Sequence, residues 1–295
     1  MHSTTVKAPA KVNLFLKVLS RRSDGYHNIE TLFERIAIFD TIKISKIPEG
    51  IIVKSDRPVT KNPKDNLVYR AAQSILRRSK VKSGVEIRIK KRIPIAAGLG
   101  GGSSDAAATI IGIDKLFKLN LTRANMMSIG KKIGADVPFF LLDTPFALGK
   151  GIGGNLNIVK SGAQLWHLLV FPGFRVSTKS VYKEFDSGKI AGSKRLTGKK
   201  SGVKMISSLT DYRAMEQLLY NDLERASISK KGIIGEIKNS LGRLLGKKFI
   251  VSGSGPSLFC LYGTCKEANA ARQVVLKGIP ASERALWRIL AVKTA

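Results

Sequence analysis

Apolar and polar positions alternate from Val6 to Leu19. Val6, Ala8, Ala10, Val12, Leu14, Leu16 and Val18 fall on one face, and Lys7, Lys11, Asn13, Phe15 and Lys17 on the other. A period of two predicts a strand with one face in a core. Glu34–Ile47 reads as two further strands around Asp40-Thr41, and Val85–Lys90 alternates again. Helical spacing marks Asn66–Arg78, a stretch from about Gly102 to Phe117, and Thr122–Ile133 after a turn-like LNLT. Beyond Gly154 a second unit begins. Its elements are a buried strand at Leu165–Phe171, helices at Ala214–Leu223, Ile233–Leu245 and Glu267–Leu276, two strands in Phe249–Tyr262 around SGSGPS, and a last strand at Ala285–Val292. The pattern predicts an α+β fold in two units, residues 1–155 and 156–295, divided near Asn155–Gly162.

A chain of 295 residues has room for two such cores. No apolar run approaches the ~18 residues of a membrane span. Lys11, Asn13 and Lys17 interrupt the N-terminal apolar stretch, which argues against a secretory leader and for a cytoplasmic protein. Two cysteines, Cys260 and Cys265, are too few for a disulfide framework or a zinc site, and both are expected to be reduced thiols in a core. The net charge of +30 is the unusual quantity. Basic residues concentrate in Ile75–Arg92 and in Gly188–Lys204, the latter expected to be a loop. Neither stretch interleaves the aromatics of a base-stacking surface. The expectation is a solvated basic surface, with nucleotide phosphates rather than nucleic acid as the anionic partner.

The candidate chemistry starts at PIAAGLGGGSSD, residues 94–105. Glycine resists helix formation, yet four glycines stand at this strand-to-helix junction. Unpaired N–H groups at a helix N-terminus carry partial positive charge, and a bare backbone lets a phosphate sit on them. Gly98, Gly100, Gly101 and Gly102, with the Ser103 and Ser104 hydroxyls, read as a polyphosphate nest. The spacing is neither G-x-G-x-x-G nor a P-loop. In GADVPFFL, Asp136 is a carboxylate among apolar residues, at a turn that Pro138 would force by keeping Val137 out of a helix. It reads either as a helix cap or as the partner of Lys11, and an Asp–Lys pair beside a phosphate nest would suit a kinase. Asp24-Gly25-Tyr26-His27 is a turn that displays an aromatic ring and an imidazole, or an ordinary hairpin. Gly253, Ser254 and Gly255 form a second glycine turn that could be a plain strand connection.

Together and in order, APAKVNLFLKV, DGYH followed by IETLF, DNLV, PIAAGLGGGSSDAA, GADVPFFL and VSGSGPSLF resemble the GHMP superfamily of small-molecule kinases, named for galactose, homoserine, mevalonate and phosphomevalonate. The resemblance spans nearly the whole chain. It implies an N-terminal ATP-binding domain with a ribosomal-protein-S5-like βαβ core, a C-terminal ferredoxin-like α/β domain, and an active site in the cleft between them. The DGYH turn is not general to the superfamily. With it, APAKVNLFLKV, IETLF, DNLV, GADVPFFL and VSGSGPSLF are similar to the branch that moves the γ-phosphate of ATP to the 2-hydroxyl of a cytidine-diphosphate-linked sugar alcohol, 4-diphosphocytidyl-2-C-methyl-D-erythritol, on the non-mevalonate route to isoprenoid precursors. Lys11 and Asp136 then match the catalytic pair. Asn13 would meet the erythritol end; Tyr26, His27 and Tyr182 would hold the cytosine. Asn66 and Lys91 match positions near the adenine, and the backbone from Gly98 through Leu99 to Ser104 would cradle ATP with Mg²⁺ bridging its oxygens. The implied partners are these two small molecules, with no membrane, in a monomer or homodimer.

The sequence departs from that pattern at Ala97, where glycine is common, at Asp105, where asparagine is frequent, and at Tyr182, where phenylalanine is usual. Asp105 is expected in the first turn of the helix, close to the phosphates. A related kinase for a smaller alcohol such as homoserine or mevalonate would need no base clamp. A basic nucleic-acid-binding protein would leave Asp136 and the glycine loop without a role.

Overall fold

The computed structural model describes residues 2–60, 62–188 and 212–295. Two long antiparallel strands, β1 (Ser3–Arg21) and β2 (His27–Ile47), form its spine and turn at Asp24–Tyr26. The two short strands expected around Asp40-Thr41 are one continuous strand. Asp40 is not at a turn. Its fully buried carboxylate accepts from the backbone N–H groups of Arg92 and Ile93 and from Lys91 Nζ, so a group that usually favours turns is satisfied inside the sheet. A register shift between the Pro9–Phe39 and Ala10–Ile36 pairs takes up the bend.

The first sheet has the order β3 (Ile51–Ser55), β4 (Gly84–Lys90), β2, β1, β8 (Tyr220–Asn221). The second half of β2 pairs with β4, which lies parallel to β3. The first half pairs with β5 (Phe146–Gly151), which in turn pairs with β6 (Asn155–Ile158). Helices α1 (Leu67–Arg78), α2 (Gly101–Phe117), α3 (Arg123–Ile133) and α4 (Val137–Leu141) share a core with this sheet, built around Ile42, Ile44, Ala71, Ile75, Ile87 and Ile110. Gly112 lets α2 sit close, because a Cβ there would lie 2.5 Å from Ile44 Cδ1.

A second, antiparallel sheet has the order β11-β7-β10-β9, with β7 at Trp166–Phe171, β9 at Ile250–Val251, β10 at Leu258–Tyr262 and β11 at Arg288–Lys293. Helices Ile233–Leu245 and Cys265–Gly278 pack on it through Ile237, Leu241, Ala268 and Val275. The last strand begins later than expected, because Ala281–Leu286 forms a helical turn first. The helix expected at Ala214–Leu223 stops at Leu218; β8 (Tyr220–Asn221) then pairs in parallel with Phe15–Leu16, and a new helix starts at Glu224. Asn221 makes the break: its side chain accepts from Leu223 N and donates to Val251 O and Gly253 O. Strands β3, β5 and β6 and helix α5 (Thr178–Asp186) have no counterpart in the sequence reading.

The sheets are joined by a core of Val12, Leu14, Leu32, Leu169, Phe259 and Leu261. A fully buried bridge also joins them, His167 Nε2 lying 2.9 Å from Glu34 Oε2, and half-buried Thr294 donates to Glu34 Oε1 at 2.8 Å. Among the described residues no helix is long and apolar enough to cross a membrane. Both cysteines are free, but only Cys260 is a core thiol, pushed up to about 12 by burial; Cys265 is exposed at a helix start. The basic stretch read as a loop lies, beyond Gly188, outside the described residues.

Candidate active site

Both faces of β1 are covered at its middle, so Lys11 and Asn13 are buried opposite the apolar set. Lys11 Nζ donates to Asn13 Oδ1 at 2.6 Å, Asn13 Nδ2 to Thr31 Oγ1 at 2.7 Å, and Thr31 Oγ1 to Phe15 O at 2.7 Å. This chain fixes the ammonium, which lies 3.6 Å from Asp136 Oδ2. Asp136 occupies the N-cap position of α4 but makes no capping hydrogen bond. Its side chain turns to Lys11 instead and stays 31% exposed. The turn expected at Asp136 is present, but Val137 after it is helical, contrary to the expectation that Pro138 would keep it out of a helix. Pro138 sits in the first turn of α4, where its missing N–H costs nothing. Arg35 holds the other end of α4 by donating to Phe139 O at 3.1 Å and to Leu142 O; burial lowers its pKa to about 10.

The glycine loop runs from β4 to α2, whose first residue is Gly101 after Gly100 at φ +68°. The outward-facing N–H groups of the first turn are the expected anion nest. Of the four glycines, only Gly102 has room for a Cβ, which would make an ordinary contact with Leu67 Cδ1 at 3.7 Å. The other glycines allow close approach within the protein. A Cβ on Gly98 would lie 2.1 Å from Ser252 O, on Gly100 2.9 Å from Lys11 Cγ, and on Gly101 3.0 Å from Ile93. Leu99 O accepts from Lys11 N at 3.0 Å, tying loop to strand. Ser103 is half-buried. Ser104 Oγ is buried and, among the described residues, has no hydrogen-bond partner, a polar atom that calls for a ligand.

The second glycine turn closes on this loop. Ser252 Oγ donates to Gly98 O at 3.0 Å and Ser257 N to Ala97 O at 3.3 Å. A Cβ on Gly253 would lie 3.2 Å from Asn13 Oδ1 and 3.6 Å from Lys11 Nζ. Ser254 Oγ is 2.8 Å from Thr178 Oγ1 at the start of α5, and its backbone oxygen accepts from Ser227 Oγ; Gly255 follows at φ +76°. The turn is therefore part of the site's wall.

Asn66 caps α1, its Oδ1 accepting from Val68 N at 3.0 Å. Lys91 lies beneath α2, paired with Asp40 and, at 2.7 Å, with Asp105 Oδ2. Asp105 is the fifth residue of α2 rather than a first-turn acid, and it faces Lys91. Burial drives its carboxyl pKa upward against the pull of Lys91, while Asp40 adds to the rise. Burial also opposes the ammonium, but Asp105 and Asp40 together raise the Lys91 pKa. Lys91→Met strands two buried carboxylates and is expected to cost about 3–5 kcal/mol in urea unfolding at pH 8. A loss under about 1 kcal/mol would remove Lys91 from this structural role.

In the DGYH turn, Asp24 accepts from the Arg22 guanidinium and from Tyr26 N. Tyr26 is 61% exposed, whereas His27 is buried at the start of β2. The His27 ring stacks on Tyr182 at 4.8 Å and 21°. Burial, and then the charge of Asp136, raises the Tyr182 phenol. Thus α5 brings His27 and Tyr182 together near Asp136, while Tyr26 stands apart. A cavity of about 160 Å³ lies between Arg22 of the turn and Ala135, lined by Lys131, Pro138, Gly151 and Gly154. Another cavity, of about 390 Å³ and lined by Lys238, Arg243, Lys247 and Phe249, holds none of these residues.

Residues 66–144 match the GHMP kinases N terminal domain. A 4-diphosphocytidyl-2-C-methyl-D-erythritol kinase of Geobacter metallireducens is 38% identical over 99% of both chains, and one of Acetivibrio thermocellus is 41% identical over 92% of this chain and 94% of its own. The chain belongs to the 4-diphosphocytidyl-2-C-methyl-D-erythritol kinase family. A crystal structure of 4-(cytidine 5'-diphospho)-2C-methyl-D-erythritol kinase is 30% identical, with a TM-score of 0.79 over 99% of this chain and 100% of that one. The α+β GHMP kinase fold expected from the sequence is the fold of this family member.

Several residues that shape the candidate site carried no local signal. Thr31 and Arg35 are separated in sequence from the groups they hold, and Asn221 reads as part of a helix. Asp186 ends a helix that the reading did not contain.

Proposed function

We propose that this protein transfers the γ-phosphate of ATP to the 2-hydroxyl of 4-diphosphocytidyl-2-C-methyl-D-erythritol, as a cytoplasmic enzyme of isoprenoid precursor synthesis. The observation that carries the reading is the Lys11–Asp136 pair, 3.6 Å apart beside the N-terminus of α2. The triphosphate binds along Gly98–Ser104, where helix N–H groups meet its charge. Asp136 takes the proton as the hydroxyl oxygen attacks the γ-phosphorus, and ADP departs. Lys11 sets positive charge against the transferring phosphoryl group. Asn13, held between Lys11 and Thr31, orients the alcohol end of the substrate. His27 and Tyr182, with Tyr26 swinging in from the turn, receive the cytosine.

Mg²⁺ fits the same place. The unpartnered Ser104 hydroxyl is a hard oxygen donor at the phosphate nest, and Mg²⁺ bound with ATP would neutralise oxygens of the triphosphate. A coupled ADP-release assay compares the diphosphocytidyl substrate with homoserine and mevalonate. Turnover of the diphosphocytidyl substrate alone is expected. Preference for either smaller alcohol would make the DGYH segment a plain hairpin.

A further inference from the structure

Asp186 ends α5, 159 residues from His27 in sequence, yet its Oδ1 lies 2.7 Å from His27 Nε2. Its Oδ2 is 3.6 Å from Arg21 Nε. The imidazole cannot turn freely, because Tyr182 stacks on one face and Phe185 meets it edge-on at 6.3 Å. Among the described residues no hydrogen bond reaches its Nδ1. Helix α5 is itself held at its start by Thr178 on Ser254 and near its end by Glu184, which accepts from Ser229 and pairs with Lys230. The carboxylate is thus presented to the ring by a braced element.

A carboxylate only accepts, so this contact places a proton on Nε2, and a neutral ring then offers Nδ1 as an acceptor. The two pyrimidines differ at the matching edge. Cytosine carries a donor amine at C4, whereas uracil carries an acceptor oxygen there. We infer that Asp186 is a positioning residue that selects cytosine over uracil by fixing the His27 proton on Nε2 and leaving Nδ1 to accept from the base amine. This inference rests on the proposed use of a cytidine-diphosphate-linked substrate.

Calorimetric titration of the full chain with CDP and with UDP tests it. The wild type is expected to bind CDP more tightly by about 5–150-fold, the range for one mismatched buried hydrogen bond. In Asp186→Asn, Arg21 draws the amide oxygen to its own side and the amide N–H₂ faces Nε2. The imidazole proton then moves to Nδ1, which becomes a donor. The CDP:UDP preference is expected to fall by at least about 10-fold, with UDP binding gained rather than lost. Asp186→Ala fixes neither tautomer and is expected to fall between the two, with ATP affinity unchanged in both variants. Nitrogen NMR of the imidazole reads the tautomer directly: Nε2–H in the wild type, Nδ1–H in Asp186→Asn. Variants that keep the wild-type CDP:UDP ratio, or Nδ1–H in the wild type, overturn the role of Asp186 and leave the proposed function standing. A wild type that binds CDP no better than UDP overturns both.

Discussion

Asp136→Asn is expected to leave the fold intact and to lower kcat by about 10²–10⁴-fold, the range for a lost general base. The amide keeps the size of the carboxylate but cannot take the hydroxyl proton. The side chain makes no capping bond to α4 and is partly exposed, so among the described residues the change removes no hydrogen bond or ion pair beyond the pair with Lys11. KM for ATP should move little, since Gly98–Ser104, proposed to hold the triphosphate, lies on separate elements. Lys11→Ala should also lower kcat, and the double variant should lose less than the product of the two losses, because the groups act as a unit. Multiplicative losses, or near-normal kcat in folded Asp136→Asn, would show that they do not work on one reaction.

Gly98→Ala is the second large effect. Gly98 has φ +78°, where an L-residue is strained by about 1–2 kcal/mol. Its Cβ would also lie 2.1 Å from the backbone oxygen of Ser252, which cannot swing aside as a side-chain tip would. Strain and overpacking together should cost about 2–5 kcal/mol. The damage falls on the contact between the first and second glycine turns, so ATP binding should weaken along with stability if the triphosphate lies along Gly98–Ser104 as proposed. Gly102→Ala provides the contrast, because that Cβ meets nothing closer than 3.7 Å. It should cost no stability, and alanine is the better helix former. Urea unfolding and ATP titration of both variants check this; equal stability losses would mean that the glycines are interchangeable.

These contrasts also show what the sequence could convey. Local signals were enough for the strands of period two, the amphipathic helix α1 and the glycine-to-helix junction, because each is written in consecutive residues. Asp136 was legible as an out-of-place carboxylate, but not whether it capped a helix or faced Lys11; that depended on β1 lying beside α4. The glycines were legible as a need for bare backbone. Their purpose was only partly so: Gly102 would tolerate a Cβ, whereas Gly98, Gly100 and Gly101 bring loop, Lys11 and Ile93 together. Asp40 and Asp105 were misplaced because charged residues usually mark turns and helix starts, and here a shared partner, Lys91, buries both. Asn221 was invisible for the opposite reason: one side chain in helical surroundings breaks the helix through contacts with a turn 32 residues away.

The central claim is that the Lys11–Asp136 pair beside the glycine loop moves phosphate from ATP to the base-bearing alcohol. Phosphorus NMR of the products from ATP and 4-diphosphocytidyl-2-C-methyl-D-erythritol addresses it most directly, comparing the wild type with Asp136→Asn. A new phosphomonoester signal on the 2-oxygen, matched by ADP and almost lost in Asp136→Asn, is the result expected. ADP formed without that ester, or the same ester formed at a wild-type rate by Asp136→Asn, would contradict the account.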